Sequence, residues 1–497
     1  MTHTLIEKTT PRWMTSLGAL GPVFWVLFFL IVCRLLAMDV IPLNDSTEAR
    51  YGEISRLMLA TGNWVTPMQA LGEPFWAKPP LSMWSQALSM GVFGVSALAA
   101  RLPSLGWSIG ILGLVAWLAF KRSGLESAKI SVLVLAGTPF FFLNAGVVMT
   151  DPALLFCTTL CMVSAWLAQL EDKRCGWGYL FFVGLGLGLL AKGPLIGVLV
   201  GLPLVLWGIT QRRCIKLMQR LPWVSGSVLM LAIALPWYLL AEYRTPGFLH
   251  YFIIGEHISR FIDPGWQGDK YGFAHAMPYG MIWVYALISV LPWSVIALID
   301  FSKKRPHVTH RVASVAQDGW VSYLLFFALT PLLFFTVARN IIYPYTFPSL
   351  PAFALLFTEG MRRQAFPTLT VTRCAGVAAA VGAVFLLASV VFVVKPHWVA
   401  KSQNRVVMAW QKQAPPEGSK LLYWAYHPDY SGQFYSGGAI VATRELSTLM
   451  DYRLRHPRSY LVVKASELHE IPLSEQSQWE RIATIEVLKH SMILFRI

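Results

Sequence analysis

Apolar stretches close to the length of a bilayer-crossing helix recur from Gly18 to Val394. Crossing the hydrocarbon core takes about 20 residues. With soft edges, the clear runs are 18–38, 102–120, 130–150, 152–170, 177–191, 194–210, 222–241, 277–299, 319–338, 341–358 and 375–394. Lipid offers no partner for an unpaired peptide group, so each run is expected to be helical. The fold class that follows is an all-α polytopic membrane protein over residues 1–395, with about 11–13 transmembrane helices. From Pro396 onward the composition becomes that of a soluble domain. Lys420–Trp424, Ser459–Val463 and Ser491–Ile497 read as strands, and Thr443–His456 and Ser474–Arg481 as helices. Residues 396–497 are therefore expected to form a small α/β domain.

Charge sets the topology. Between the runs lie Lys121–Arg122, Lys173–Arg174, Arg212–Arg213 with Lys216, Lys303–Lys304–Arg305, and Arg362–Arg363. Basic loops stay in the cytoplasm, so the formal charge of +15 is explained by insertion and calls for no nucleic acid. Lys8 and Arg12 precede a first run longer than a signal-peptide core, which reads as a retained anchor. One run is ambiguous: Pro80–Leu98, interrupted by Ser82, Ser85, Gln86, Ser89, Gly91 and Gly94. A single crossing there would flip every later basic cluster to the outside. The expectation is eleven full spans, with residues 40–100 folded against the outer face and the C-terminal domain on the same side. The six cysteines sit in apolar runs or short basic loops, none of them after Lys395, and suggest no disulfide framework or Cys-based zinc site.

Apart from Arg34, the spans are nearly free of ionisable residues. Asp45, Glu48, Arg50, Lys78, Asp151, Lys192, Glu256, His257, Arg260, Asp269, Lys270 and Arg339 all fall in outer loops. An ion-coupled transporter or flippase would place such groups near the midplane, so a one-sided reaction site at the outer surface fits better. Its centre is Pro42–Leu81. Asp45 and Glu48 have capping-box spacing, and Tyr51, Ile54, Leu57 and Met58 follow at helical spacing. The pair is open to two readings, a capped surface helix or a catalytic carboxylate. Arg50, Lys78, Arg260 and Arg339 are candidates for a phosphate, with headgroup snorkelling as the alternative. Pro79–Pro80 fixes the backbone after Lys78. Asp151 is either a first-turn helix acid or a site residue. In Lys192–Gly193–Pro194 the Gly and Pro explain a turn, but not the cation. Glu256 and His257 are the candidates for a metal. No HExxH-type spacing supports them, so neither a metal nor another cofactor is expected.

The chain resembles the GT-C membrane glycosyltransferases that use polyprenyl-phosphate sugars, and is most similar to their ArnT-like branch, the lipid A aminoarabinose transferases. The matching segments, in order, are EARYGEISRLMLATGNWVTP (Glu48–Pro67), FWAKPPLSMW (Phe75–Trp84), AARLPS (Ala99–Ser104), MTDPALL (Met149–Leu155), AKGP (Ala191–Pro194), PWY (Pro236–Tyr238), EHISRF (Glu256–Phe261) and YTFPSLPAFALL (Tyr345–Leu356). The resemblance implies an undecaprenyl-phosphate-sugar donor, with Arg50, Lys78 and Tyr345 on its phosphate and Asp151 as a second acid. It implies a glycolipid acceptor such as lipid A, in a bacterial inner membrane with the site on the periplasmic side. A protein hydroxyl, as in protein O-mannosyltransferases, or a growing polysaccharide stays open as the alternative acceptor. Two positions depart from the pattern. Thr47–Glu48 stands where these transferases carry Asp-Glu, so either Asp45 or Glu48 takes the acid's role. Ala77 stands where relatives often place a metal-contacting Glu.

Overall fold

The computed structural model describes residues 12–170, 176–263, 265–272, 275–302, 318–363, 365–366, 369–456 and 458–497. Lys8, Lys173–Arg174, Cys175 and Lys303–Lys304–Arg305 lie outside them. All eleven apolar runs contain helix, but not all as single spans. The first helices are α1 (Arg12–Val40), α2 (Thr47–Thr61), α3 (Leu81–Phe93), α4 (Ala97–Ser123), α5 (Leu125–Ala136), α6 (Pro139–Asn144), α7 (Asp151–Leu170), α8 (Gly176–Lys192) and α9 (Leu195–Thr210).

Among the described residues, five helices are long and apolar enough to cross a membrane alone: Gly21–Val40 within α1, α4, α7, Trp223–Arg244 and Val371–Val394. The run 277–299 is a sixth only as a pair, Met281–Ser289 and Trp293–Asp300, bent by 82°. Pro292 sits in that break. Runs 177–191, 194–210 and 319–338 each form one helix of 16 or 17 residues, whereas 130–150 and 341–358 are cut. Gly137–Thr138–Pro139 separates α5 from α6. Pro344 and Pro348 keep Tyr343–Ser349 in a tight 3-10 turn before the helix Leu350–Arg362 begins. An apolar run of spanning length is thus not always one spanning helix, because Gly and Pro interrupt the ladder. The chain is a multi-pass membrane protein.

α7 is the central post, with nearly every residue from Asp151 to Gln169 buried. α8 lies close against it: a methyl group on Gly184 would come 2.7 Å from Cys161 Sγ. Trp166, Trp207, Trp320 and Tyr323 pack edge and face around one end of α7.

α2 buries Tyr51, Ile54, Leu57 and Met58, the face expected from spacing. It is not a surface helix, however. Ser55 is buried against Gln86 of α3, and Gly52, Glu53 and Arg56 are buried where the C-terminal domain covers the helix with Phe434 and Gly437. Nor is Asp45 its cap: the N-cap is Ser46, with no side-chain capping bond. A two-stranded hairpin, β1 (Met68–Ala70) with β2 (Glu73–Pro74), follows α2. α3 is 13 residues long, about 20 Å at 1.5 Å per residue.

The C-terminal domain holds β3 (Leu421–Trp424), β4 (Ile440–Thr443), β5 (Tyr460–Lys464), β6 (Glu480–Val487) and β7 (His490–Arg496) in the order β4-β3-β5-β7-β6. β3 runs parallel to β4 and β5, whereas β7 runs antiparallel to β5 and β6. Both faces are covered. Leu421 and Tyr423 pack with Val406 and Trp410 on one side, Leu422 and Trp424 with Leu449 and Trp479 on the other. The helix expected over Ser474–Arg481 is corrected: only Leu473–Gln476 is helical, and Glu480 already opens β6.

Candidate active site

Three segments converge on one small cavity. Lys78 arrives from the Pro-fixed turn before α3, Lys192 from the end of α8, and Glu256, His257 and Arg260 from the stretch that follows helix Trp223–Arg244. Residues His250–Ser259 of that stretch form a π-helix, whose wider turn is frequent at functional sites. Tyr345 and Asn340 close the polar side, and Leu195, Val198, Phe261, Phe334 and Phe335 make the rest of the wall apolar. The volume is about 190 Å³.

Charge in this cavity is tightly paired. Lys78 Nζ donates to Glu256 Oε2 at 3.0 Å and to its neighbour's carbonyl, Ala77 O, at 2.6 Å. Arg260 Nη1 reaches Glu256 at 3.3 Å, and Arg260 Nε lies 3.4 Å from Asp269. Burial pushes the Glu256 carboxyl up, but Lys78 and Arg260 outweigh it and hold the group below its ordinary value. Lys192 Nζ donates to Asp151 Oδ1 at 2.7 Å and sits 5.2 Å from the Tyr345 ring centre.

His257 is turned toward the backbone. Its Nδ1 lies 2.7 Å from Phe252 O and its Nε2 3.2 Å from Lys192 O. Among the described residues no three His, Cys, Asp or Glu side chains gather as a metal group. Glu256, expected as the other metal candidate, serves instead as counter-ion to two cations.

Of the residues singled out in the sequence, Lys78, Lys192, Arg260 and Tyr345 meet in this cavity, with Asp151 behind Lys192. Asp45, Glu48, Arg50 and Arg339 do not line it. Asp45 accepts from Ser431 N at 2.9 Å and from the Ser431 hydroxyl, so it ties the membrane portion to the C-terminal domain. Burial and the nearby Asp429 push its carboxyl up to about 7. Glu48 is saturated. Its two oxygens accept from Arg101 Nε and Nη2, both at 2.8 Å, from Asn44 N at 3.1 Å and from Val148 N at 3.2 Å. Burial opposes its charge, yet Arg101 and these donors hold the carboxyl below its ordinary value. Arg50 donates to Tyr271 O and lies over the rings of Phe75 and Tyr51, steadying the segment that carries Asp269. Arg339 stacks on Tyr279 at 5.6 Å, while the next residue, Asn340, enters the cavity. The sequence reading missed Arg101 as the partner of Glu48. A cation in an otherwise apolar AARLPS segment was the available signal.

The family model described as dolichyl-phosphate-mannose-protein mannosyltransferase matches residues 23–252. The undecaprenyl phosphate-alpha-4-amino-4-deoxy-L-arabinose arabinosyl transferase 1 of Pseudomonas fluorescens (strain Pf0-1) is 30% identical over 321 residues, 63% of this chain and 52% of that protein. The corresponding transferase of Erwinia tasmaniensis is 28% identical over 424 residues, 83% of this chain and 71% of that protein. The chain thus spans about half of the first relative in alignment. ArnT from Cupriavidus metallidurans, solved bound to undecaprenyl phosphate, superposes with a TM-score of 0.75 at 19% identity, covering 96% of this chain and 98% of that one. The chain is similar to the ArnT-like GT-C glycosyltransferases. At 19% identity the likeness to the solved ArnT is one of fold, and it includes both the helical bundle and the mixed-sheet domain. In this ArnT-like chain Thr47 opens α2 at the surface and Ala77 is buried beside Lys78.

Proposed function

We propose that this ArnT-like chain transfers a sugar from an undecaprenyl-phosphate-linked donor to a lipid A-type glycolipid at the periplasmic face of a bacterial inner membrane. The observation that carries the reading is the cavity in which Lys78, Arg260, Lys192 and Tyr345 face an apolar wall of Phe261, Phe334 and Phe335. Cations beside an apolar wall suit a phosphate at the end of a hydrocarbon tail. The names of the relatives, which act with undecaprenyl phosphate-linked aminoarabinose, support the same donor class.

In the transfer, an acceptor oxygen bonds to the anomeric carbon as that carbon's bond to the donor phosphate breaks. The bonding electrons stay on the phosphate oxygen, and attack from the opposite side inverts the anomeric centre. The leaving polyprenyl phosphate gains one negative charge. Lys78 and Arg260 are placed to stabilise that charge as it develops, the preorganised kind of stabilisation that lowers a barrier. Glu256 in the cavity and Asp151 behind Lys192 are both held in ion pairs. Neither is positioned as an unengaged base, which favours an acceptor that is already anionic, such as a phosphate of lipid A. Such an acceptor has no proton to lose.

The test is turnover of the purified full-length protein with undecaprenyl-phosphate-linked aminoarabinose and lipid A. Release of undecaprenyl phosphate with a matching mass gain on lipid A is expected. Donor consumption with a peptide or polysaccharide hydroxyl but not with lipid A would replace the acceptor. Donor crossing liposomes unconsumed would replace the reaction.

A further inference from the structure

Arg34, on α1, is 5% exposed and has no carboxylate partner among the described residues. Its Nη2 donates to Leu143 O at 2.8 Å, and its guanidinium carbon lies 4.9 Å from the Phe385 ring centre. Its Nε is buried without a partner. The acid that could have balanced it, Glu48, is taken on both oxygens by Arg101. Arg34, Arg101 and Glu48 together therefore leave one positive charge uncompensated inside the protein, an arrangement that favours an anionic ligand.

Arg34 also lines one end of a crevice between α1, α4 and α5. The part beside it has a volume of about 310 Å³ and is otherwise almost wholly apolar. Through Leu27, Gly113, Ala116 and Val132 it continues into a second part of about 410 Å³ that ends at Trp117, Phe120 and Lys129, whose amine, unlike Arg34, is paired with a carboxylate, Glu126 at 2.7 Å. The α4 residues along its wall run from Leu105 to Phe120, which is about 22 Å at 1.5 Å per residue. That length covers most of the ~30 Å hydrocarbon core. None of these residues lines the cavity of Lys78 and Arg260.

We propose that this crevice is a second lipid site, holding one acyl chain of an anionic phospholipid with its phosphate on Arg34. The charge comes from the guanidinium, the chain from the length and apolarity of the groove. A lipid seated there would lie against Arg34 one helix away from the Glu48–Arg101 pair that anchors the loop before α2, so it would brace the outer region.

Gly113 gives a test that leaves Arg34 alone. A methyl group at that position would meet nothing within 4 Å, and Gly113 is inside a helix, where leucine is the better former. Gly113→Leu thus fills the crevice while keeping the fold. The full-length protein, wild type, Gly113→Leu and Arg34→Gln, is reconstituted in phosphatidylglycerol/phosphatidylethanolamine bilayers, extracted, and its retained lipid weighed by native mass spectrometry. Wild type should retain phosphatidylglycerol in preference to phosphatidylethanolamine, and each folded variant should lose that retention about tenfold. If Arg34→Gln does not fold, Gly113→Leu decides alone. Equal retention of both lipids by wild type would reduce the crevice to ordinary boundary lipid and overturn the proposal. So would undiminished phosphatidylglycerol in Gly113→Leu. Polyprenyl phosphate added as a second probe and displaced by Gly113→Leu would assign the crevice to the donor's tail instead.

Discussion

Lys78 Nζ lies 3.0 Å from Glu256 Oε2, and the same carboxylate is 3.3 Å from Arg260 Nη1. The two cations best placed for a donor phosphate are thus already bridged by an internal anion. A phosphate entering the cavity must share them with Glu256 or displace it. Lys78→Ala removes a charge-assisted contact of about 1.5–3 kcal/mol, so turnover should fall about ten- to a hundredfold. Glu256→Gln removes the competitor and should act in the opposite sense on binding, tightening the hold on undecaprenyl phosphate. Donor binding and turnover measured for both variants decide the matter. Equal loss of donor affinity in the two would make Glu256 a strut for Lys78 and not a competitor.

The pair behind the cavity carries a different expectation. Lys192 and Asp151 are 9% and 7% exposed and joined at 2.7 Å. Removing one partner of a buried pair leaves the other charge stranded, typically at a cost of about 3–5 kcal/mol. Asp151→Asn should therefore lower stability strongly. Asp151→Asn with Lys192→Met should lower it less, because no charge is left over. Unfolding midpoints of the single and double variants provide the comparison. A double variant less stable than Asp151→Asn would mean that Lys192 has a second partner holding it.

Glu48 is where the sequence resemblance implies a catalytic acid, yet all its accepting capacity is used by Arg101, Asn44 and Val148. Its lowered pKa means that its contribution to stability is present above the ordinary carboxylate range and is lost as pH falls through the folded value. Glu48→Gln should thus destabilise the protein at neutral pH while the folded fraction keeps its turnover. Intact stability with turnover abolished would return Glu48 to catalysis.

These cases show what the sequence carried and what it did not. The apolar runs located the helices because lipid imposes one solution on a backbone. Their breaks at Gly137 and Pro292 were visible only as residue types, since Gly and Pro are also common within membrane helices. Lys78, Arg260 and Tyr345 were legible as candidates through their loop positions and the family's ordered motifs. The partners Glu256 and Arg101 were not assigned, because they meet Lys78 and Glu48 across 178 and 53 residues. Asp45 misled for a local reason. Its spacing to Glu48 suits a capping box, but Ser431 from the C-terminal domain takes its side chain, a contact no spacing rule contains.

Asp45 gives the clearest pH dependence. Burial, with Asp429 nearby, raises its carboxyl to about 7, so the folded protein favours the protonated form. A raised pKa contributes stability that is fully present below the unfolded value and is lost as pH rises through the folded one. Although the two Ser431 donors favour the carboxylate, burial and Asp429 outweigh them, so the contribution of Asp45 to stability should be greatest below about pH 4 and be lost as pH rises to about 7. Asn resembles the protonated acid in shape and charge and cannot ionise. Asp45→Asn should match wild type in acid, exceed it in thermal stability at about pH 8, and flatten the pH profile. Because Asp45 does not line the cavity of Lys78 and Arg260, the variant should also keep its turnover on lipid A. Unfolding midpoints at about pH 3.5 and pH 8, read beside undecaprenyl phosphate release, test both halves. A folded Asp45→Asn without turnover would make Asp45 the base after all, and would move the reaction from the Lys78 cavity to the junction with the C-terminal domain.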